Sequence, residues 1–165
     1  MAEVVLVLDN IRSALNVGAI ARTAEGLGVK RIFTLGLTPY PAISGDTRLP
    51  HVAERAERQI AKTALGAEKL LDWQPATGFK TLLPGLKKQG FKVVALEQDK
   101  RAKPINTWRA DEHKIAFVVG HETKGVDKDL LDACDSIVYL PMSGKKESFN
   151  VASATAMALF YLNLK

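Results

Sequence analysis

Cysteine is nearly missing from this chain: Cys134 is the one thiol among 165 residues. A lone cysteine forms no internal disulfide, and no second one stands beside it to complete a zinc pair, so a reducing compartment fits. Cys134 itself reads as a small buried apolar residue. Long hydrophobic runs are lacking too. The opening segment offers only the short run from Val4 to Leu8, with no basic stretch before it and polar residues directly after. A signal peptide and a spanning helix are excluded on that pattern, no membrane partner is expected, and the expected location is cytoplasmic. There is no internal repeat, no low-complexity tract, no metal-ligand spacing and no G-x-G-x-x-G after a strand-like run, which removes the usual dinucleotide fingerprint.

Acidic residues are the scarcer charged class, 18 against 23 basic ones, giving a formal charge of +5 and a pI near 9.4. A basic balance favours an anionic partner, because Lys and Arg gain affinity by releasing counterions from a phosphate backbone. The basic residues gather around Arg48 to Lys62, Lys87 to Lys92, Lys100 to Lys103, and Lys145 with Lys146. Length and ordinary globular composition suggest one domain spanning 1–165.

Val4 to Leu8 is a continuous, largely β-branched run ending at Asp9 and Asn10, the pattern of a strand buried on both faces. From Asn16 the spacing turns helical through Val17, Ile20, Ala21, Ala24 and Leu27, with Gly28 to close the turn. Arg31 to Gly36 is the next strand, and strand, helix, strand is the unit of a parallel sheet. Leu37 to Pro50, with three prolines and Gly45, is too long for an ordinary connection and is a candidate substrate or lid loop. Further along come a charged amphipathic segment (Val52 to Lys62), a short strand (Leu70 to Trp73), a helix (Phe79 to Gln89) and a strand (Phe91 to Leu96). A polar linker (Gln98 to Lys114) leads to a strand (Ile115 to Gly120), a helix (Lys128 to Ala133), a strand (Ile137 to Leu140) and a last helix (Ser148 to Leu164). The prediction is an α/β fold of five or six mostly parallel strands with helices on both faces. In the last helix Ala152, Ser153 and Ala156 leave little bulk, which suits close packing on a sheet or a second subunit.

Ligands of open α/β sheets lie beyond the carboxyl ends of the strands, and three post-strand segments carry unusual residues. The first is Asn16-Val17-Gly18-Ala19-Ile20-Ala21-Arg22. Asn16 can cap the helix, Gly18 leaves room at a terminus that favours anions, and Arg22 needs a bend to converge with Asn16. Taken alone, these describe a helix cap and a surface arginine. The second is Gly120-His121-Glu122-Thr123-Lys124-Gly125, which holds a carboxylate on a turn. Val126-Asp127 stands where a phosphate loop requires Lys-Ser/Thr, so a nucleoside triphosphate site is excluded, and His121 is a turn residue without an assigned role. The third runs from Leu140-Pro141-Met142 through Gly144 to Ser148-Phe149-Asn150-Val151-Ala152. Ser148 and Asn150 make a helix entrance, and without a matching His and Asp no hydrolase triad is present.

In order, the three segments resemble the motifs of the SpoU/TrmH branch of the SPOUT methyltransferases: N-x-G-x-x-x-R, G-x-E-x-x-G and P-M-x-G-x-x-x-S-x-N-V-A. Phe149 is the chief departure, replacing a more usual aliphatic residue. The resemblance implies a C-terminal trefoil knot, a homodimer with a shared active site, and S-adenosylmethionine as methyl donor to a ribose 2′-hydroxyl of tRNA or rRNA. It assigns the donor's pocket to Gly120, Leu140, Met142, Phe149 and Asn150. Arg22 matches the family's essential arginine, while Asn16, Glu122, Ser148 and Asn150 would position arginine and ribose. A guanidinium stays protonated under ordinary conditions, so orientation of ribose and phosphate is its expected task, with the proton leaving to that phosphate or to a transiently neutral Arg22. With no separate RNA-binding extension expected, Arg48, Arg55, Lys100, Arg101 and Lys145 are the candidate RNA contacts. A non-catalytic RNA-binding module on the same fold, or another nucleotide-binding α/β enzyme such as a dehydrogenase, are the alternatives.

Overall fold

The computed structural model describes residues 2–108 and 113–163. Part of the expected polar linker, and Leu164 at the expected end of the last helix, lie outside these residues. Strand β1 (Glu3–Asp9) is followed by α1 (Ala14–Gly26), β2 (Arg31–Leu35), α2 (Pro50–Ala64), a 3₁₀ turn (Ala67–Lys69) and β3 (Asp72–Pro75). Then come α3 (Phe79–Lys88), β4 (Lys92–Leu96), the two-residue β5 (Lys103–Pro104), β6 (Lys114–Val119), α4 (Lys128–Ala133), β7 (Ser136–Tyr139) and α5 (Val151–Asn163). The strands form one seven-stranded sheet in the order β3-β2-β1-β6-β4-β7-β5, and every neighbouring pair is parallel.

The central strands are apolar on both faces because both faces are covered. Leu6, Leu8, Ile115, Phe117, Val94 and Val138 point to one side, where Ile20 and Ala24 of α1, Ile60 of α2, and Ala158 and Leu162 of α5 meet them. Val5, Val7, Ala116, Val118, Val93 and Ile137 point to the other, against Leu83 and Leu86 of α3 and Leu130 and Leu131 of α4. This alternation is the two-residue period of a strand, so a register slip would exchange the two cores.

Helix α1 begins earlier than its apolar spacing suggests. Ser13 is the N-cap, its Oγ accepting from the Asn16 amide at 3.2 Å. Asn16 is therefore inside the first turn and its side chain is not the cap. Gly18 has a packing role in place of an anion-binding one: a Cβ there would run into the Ile60 carbonyl oxygen and Thr63 Oγ1 of α2. The absent side chain lets the two helices cross closely, and Thr63 Oγ1 donates to the Leu15 carbonyl at 2.8 Å across the same junction.

The proline-rich connection before α2 is clipped shut on itself. Arg48 stacks on the Tyr40 ring at 3.5 Å from its centroid and donates to the carbonyls of Tyr40 and Pro41. It also reaches the Asp46 carboxylate at 2.5 Å. That carboxyl is held far below its ordinary range, first by the bond from the Arg48 side chain. None of the loop's residues lines the cleft at the carboxyl ends of β4, β6 and β7; Pro41 to Ser44 instead border a separate hollow beside β3.

Candidate active site

A cleft of about 290 Å³ opens at the carboxyl ends of β4, β6 and β7. Its walls come from the ends of the three strands and the turns after them (96–98, 119–125, and Tyr139, Leu140 and Met142) and from the entrance of α5 (147–149, Val151 and Ala154). Strand ends leave backbone groups unpaired just where the connecting turns begin, which is why such crevices bind ligands.

Of the donor-pocket residues implied by the sequence motifs, Gly120, Leu140, Met142 and Phe149 line this cleft. Asn150 does not line it; it stands at the rim as the cap of α5, its Oδ1 accepting from the amides of Ala152 at 2.9 Å and Ser153 at 3.2 Å. Ser148 and Glu122 are in the lining. Ser148 is exposed, and among the described residues it has no hydrogen-bond partner, so it does not cap the helix.

The carboxylate of Glu122 ties the second segment to the first. Oε1 accepts from the Ser13 amide at 3.1 Å and from Asn16 Nδ2 at 3.2 Å, and Oε2 accepts from the Arg12 amide at 3.3 Å. Asn16 Oδ1 in turn accepts from Asn150 Nδ2 at 3.2 Å, which brings in the third segment. The direction of this chain is fixed. Asn150 must turn its oxygen to the helix amides, so its nitrogen faces Asn16; Asn16 must answer with oxygen, so its own nitrogen faces Glu122. Burial pushes the Glu122 carboxyl upward, but the donated amide hydrogen bonds outweigh it and the net displacement is below the ordinary value. The group is thus held as an acceptor.

Arg22 is not brought to this cluster. It lies six residues beyond Asn16 on α1, about 9 Å along the helix axis, is exposed, and does not line the cleft. Among the described residues it has no hydrogen-bond or ion-pair partner.

His121 behaves as a turn residue: its Nδ1 accepts from the Thr123 amide at 3.1 Å. A nitrogen occupied as an acceptor carries no proton, so the 3.9 Å approach to Glu122 is not an ion pair in that state. Two residues escaped the sequence reading. Glu97, directly after β4, lines the cleft and accepts from the Val126 amide at 2.8 Å, holding the Gly125 turn against the sheet. Its position after a buried strand was the available signal. Arg12 is the other, its backbone bonded to Glu122 and its side chain exposed. Among the described residues no cluster of three or more His, Cys, Asp or Glu could hold a metal ion, and no helix is long and apolar enough to cross a membrane.

The fold has many solved counterparts. A TrmH/SpoU tRNA modifying enzyme from A. aeolicus superposes with a TM-score of 0.79 at 21% identity, over 99% of this chain and 75% of that one. An AdoMet-bound rRNA methyltransferase from Sinorhizobium meliloti gives 0.78 at 23% identity, over 96% of this chain and 55% of that one. In sequence, the 23S rRNA (guanosine-2'-O-)-methyltransferase RlmB of Acinetobacter baylyi is 32% identical over 161 residues, 94% of this chain and 57% of the relative. A tRNA/rRNA methyltransferase of Borreliella burgdorferi, itself uncharacterized, is 28% identical over 156 residues, 94% of this chain and 61% of that protein. The chain therefore spans little more than half the length of the curated relatives it matches. The family model described as SpoU rRNA Methylase matches residues 3–160, and the chain therefore belongs to the SpoU methylase family.

Proposed function

We propose that this chain is a single catalytic domain transferring a methyl group from S-adenosylmethionine to a ribose 2′-hydroxyl of tRNA or rRNA. The observation that carries the reading is the Asn150–Asn16–Glu122 chain of hydrogen bonds, which ties the first segment to the two that line the cleft. The 2′-O activity and the donor named for the relatives agree with it.

The cleft fits the donor chemically. Leu140, Met142 and Phe149 supply apolar surface for a purine and a methylthio group, and the carboxylates of Glu97 and Glu122 suit a ligand that is cationic at sulfur and at its amino group. When bound, S-adenosylmethionine supplies an electrophilic methyl group. Gly120, Leu140, Met142 and Phe149 would hold it, with Asn150 fixing the rim through its bonds to Asn16 and the α5 amides. The strand order places β7 between β4 and β5, and the chain then returns as α5 onto the α1 side of the sheet. This path supports a trefoil knot at the C-terminal end, with the donor's cleft in its turns.

The distance of Arg22 from its own cleft is the reason to assign a shared site. In a two-fold homodimer Arg22 would enter the partner's cleft and orient ribose and phosphate there, while Asn16, Glu122, Ser148 and Asn150 shape the seat. Leu15 on α1 and Met157, Phe160 and Tyr161 on α5 are exposed apolar residues on two helices that pack together, a surface suited to such a dimer.

Titration calorimetry with S-adenosylmethionine and with NAD tests the donor, and mapping of 2′-O-methyl sites in RNA with and without the active protein tests the acceptor. Binding of the first ligand alone, with Arg22-dependent ribose methylation, is the expected result. Donor binding without methylation of any RNA would favour the binding-module alternative, and heat with NAD but not S-adenosylmethionine would overturn the assignment.

A further inference from the structure

The basic residues of this chain sort by what holds them. Arg31, Arg48, Lys87, Arg101 and Lys114 each face a carboxylate at 3.4 Å or closer. Arg101 is gripped by both Asp99 and Asp132, and Arg48 is consumed by its own loop. Two of the arginines that the sequence offers as RNA contacts are thus neutralised within the fold.

Helix α2 is different. Ala53, Ile60 and Ala64 are its buried side. His51, Arg55, Arg58 and Lys62 are all exposed, and their spacing of four, three and four residues gathers them into a stripe about 60° wide and about 16 Å long. Among the described residues Arg55 and Lys62 have no hydrogen-bond or ion-pair partner. Arg58 has Glu54 at 4.0 Å, with the two side chains 71% and 64% exposed, a solvated contact that a stronger anion displaces readily.

The stripe is also connected to the site. Lys62 adjoins Thr63, whose hydroxyl bonds the Leu15 carbonyl in the first turn of α1, and the next residue is the Asn16 that holds Glu122. From that junction the cations run outward along α2. The geometry points to the outer face of α2 as a docking surface for the sugar-phosphate backbone of RNA flanking the nucleotide that enters the cleft. Charge complementarity selects the occupant: a row of exposed basic side chains along one helix face, only Arg58 of them meeting a carboxylate, matches a polyanion, and the contact reads phosphate and not base identity. This inference rests on the RNA methyltransferase reading for the direction in which the strand runs.

The experiment measures binding of a fluorescently labelled oligouridylate against salt concentration, using the whole chain. Replacing Arg55, Arg58 and Lys62 together by alanine should lower the slope of log affinity against log salt by about 2, the value for three phosphate contacts on a single strand. A matched variant, Lys30→Ala with Lys80→Ala and Lys88→Ala, removes the same charge away from this face and should leave the slope unchanged. The single change Arg55→Ala, at an exposed position, should lower it by about 0.7 and serves if the triple variant does not fold. Equal slopes for wild type and both α2 variants, or an equal fall in the matched variant, overturns the docking surface. Calorimetry with S-adenosylmethionine on the same preparations separates the two readings: wild type without donor binding brings down the methyltransferase assignment, whereas the slope comparison still decides the fate of α2.

Discussion

The side-chain amide of Asn16 donates to Oε1 of Glu122 at 3.2 Å, joining residues 106 positions apart. Because Asn16 also accepts from Asn150, its two ends are not interchangeable. Asn16→Asp keeps the shape, removes the donor and sets two carboxylates face to face. Asn16→Ala removes the donor without adding charge. Loss of one such bond costs about 1 kcal/mol, and a like-charge contact at a part-buried site adds to it. The expected order of stability in urea is wild type, then Ala, then Asp, with activity following the same order; an Asp variant as stable as wild type would break the account.

Glu122 carries a pH signature. Its folded value lies below the ordinary carboxylate value, so the stability it contributes is fully present above the unfolded pKa of about 4.3 and is lost as pH falls through the folded one. Glu122→Gln should therefore be less stable than wild type at neutral pH, with the gap closing in acid. Paired thermal melts across the acid range check this. A gap that widens on acidification has the wrong sign.

Much of this arrangement was legible in the sequence. Strands β1 and β6 stand out because burial on both faces leaves Val4–Leu8 and Ile115–Val119 without a polar position. The motif segments fall after strands, where a ligand crevice is expected. Other features depend on partners far along the chain. Placing β6 between β1 and β4 is a long-range choice that periodicity does not encode, and β5, at two residues, is too short to have a period. The start of α1 was missed for a different reason: apolar spacing begins only at Val17, although Ser13 three residues before Asn16 was a readable cap. The Asp46/Arg48 and Asp99/Arg101 pairs, each two residues apart, were equally local clues that those arginines are held at home.

Gly18 and Gly26 separate packing from helix propensity on one helix. Alanine in a helix is favoured over glycine by roughly 1 kcal/mol. At Gly26 a Cβ meets nothing within 4 Å, so Gly26→Ala should raise stability by up to about that amount. At Gly18 the same methyl strikes backbone and hydroxyl atoms of α2. There the overpacking penalty of about 1–3 kcal/mol should exceed the propensity gain and lower the melting temperature. Equal stabilisation by the two changes would mean that α1 and α2 do not cross as closely as described.

Arg22 offers the sharpest test of a shared site, because cis and trans arrangements predict different outcomes when two inactive proteins are mixed. Arg22→Ala leaves the donor cleft intact. Phe149→Arg places a cation in the cleft wall at a residue 40% exposed, where the fold tolerates it and a cationic donor does not. Each variant alone should be inactive, the second without calorimetric heat for the donor. If Arg22 serves the partner, each heterodimer contains one site with both a sound cleft and a sound arginine. Random pairing makes half the dimers mixed, with one good site of two, so equal mixing after unfolding and refolding should restore about a quarter of wild-type activity. If Arg22 serves its own cleft, every site in the mixture lacks one component, and activity stays at the sum of the parents. Recovery near a quarter requires contact between Arg22 of one protomer and the cleft of the other; failure to recover, with mixed dimers present by mass, would place Arg22 in its own site and require α1 to bend toward it.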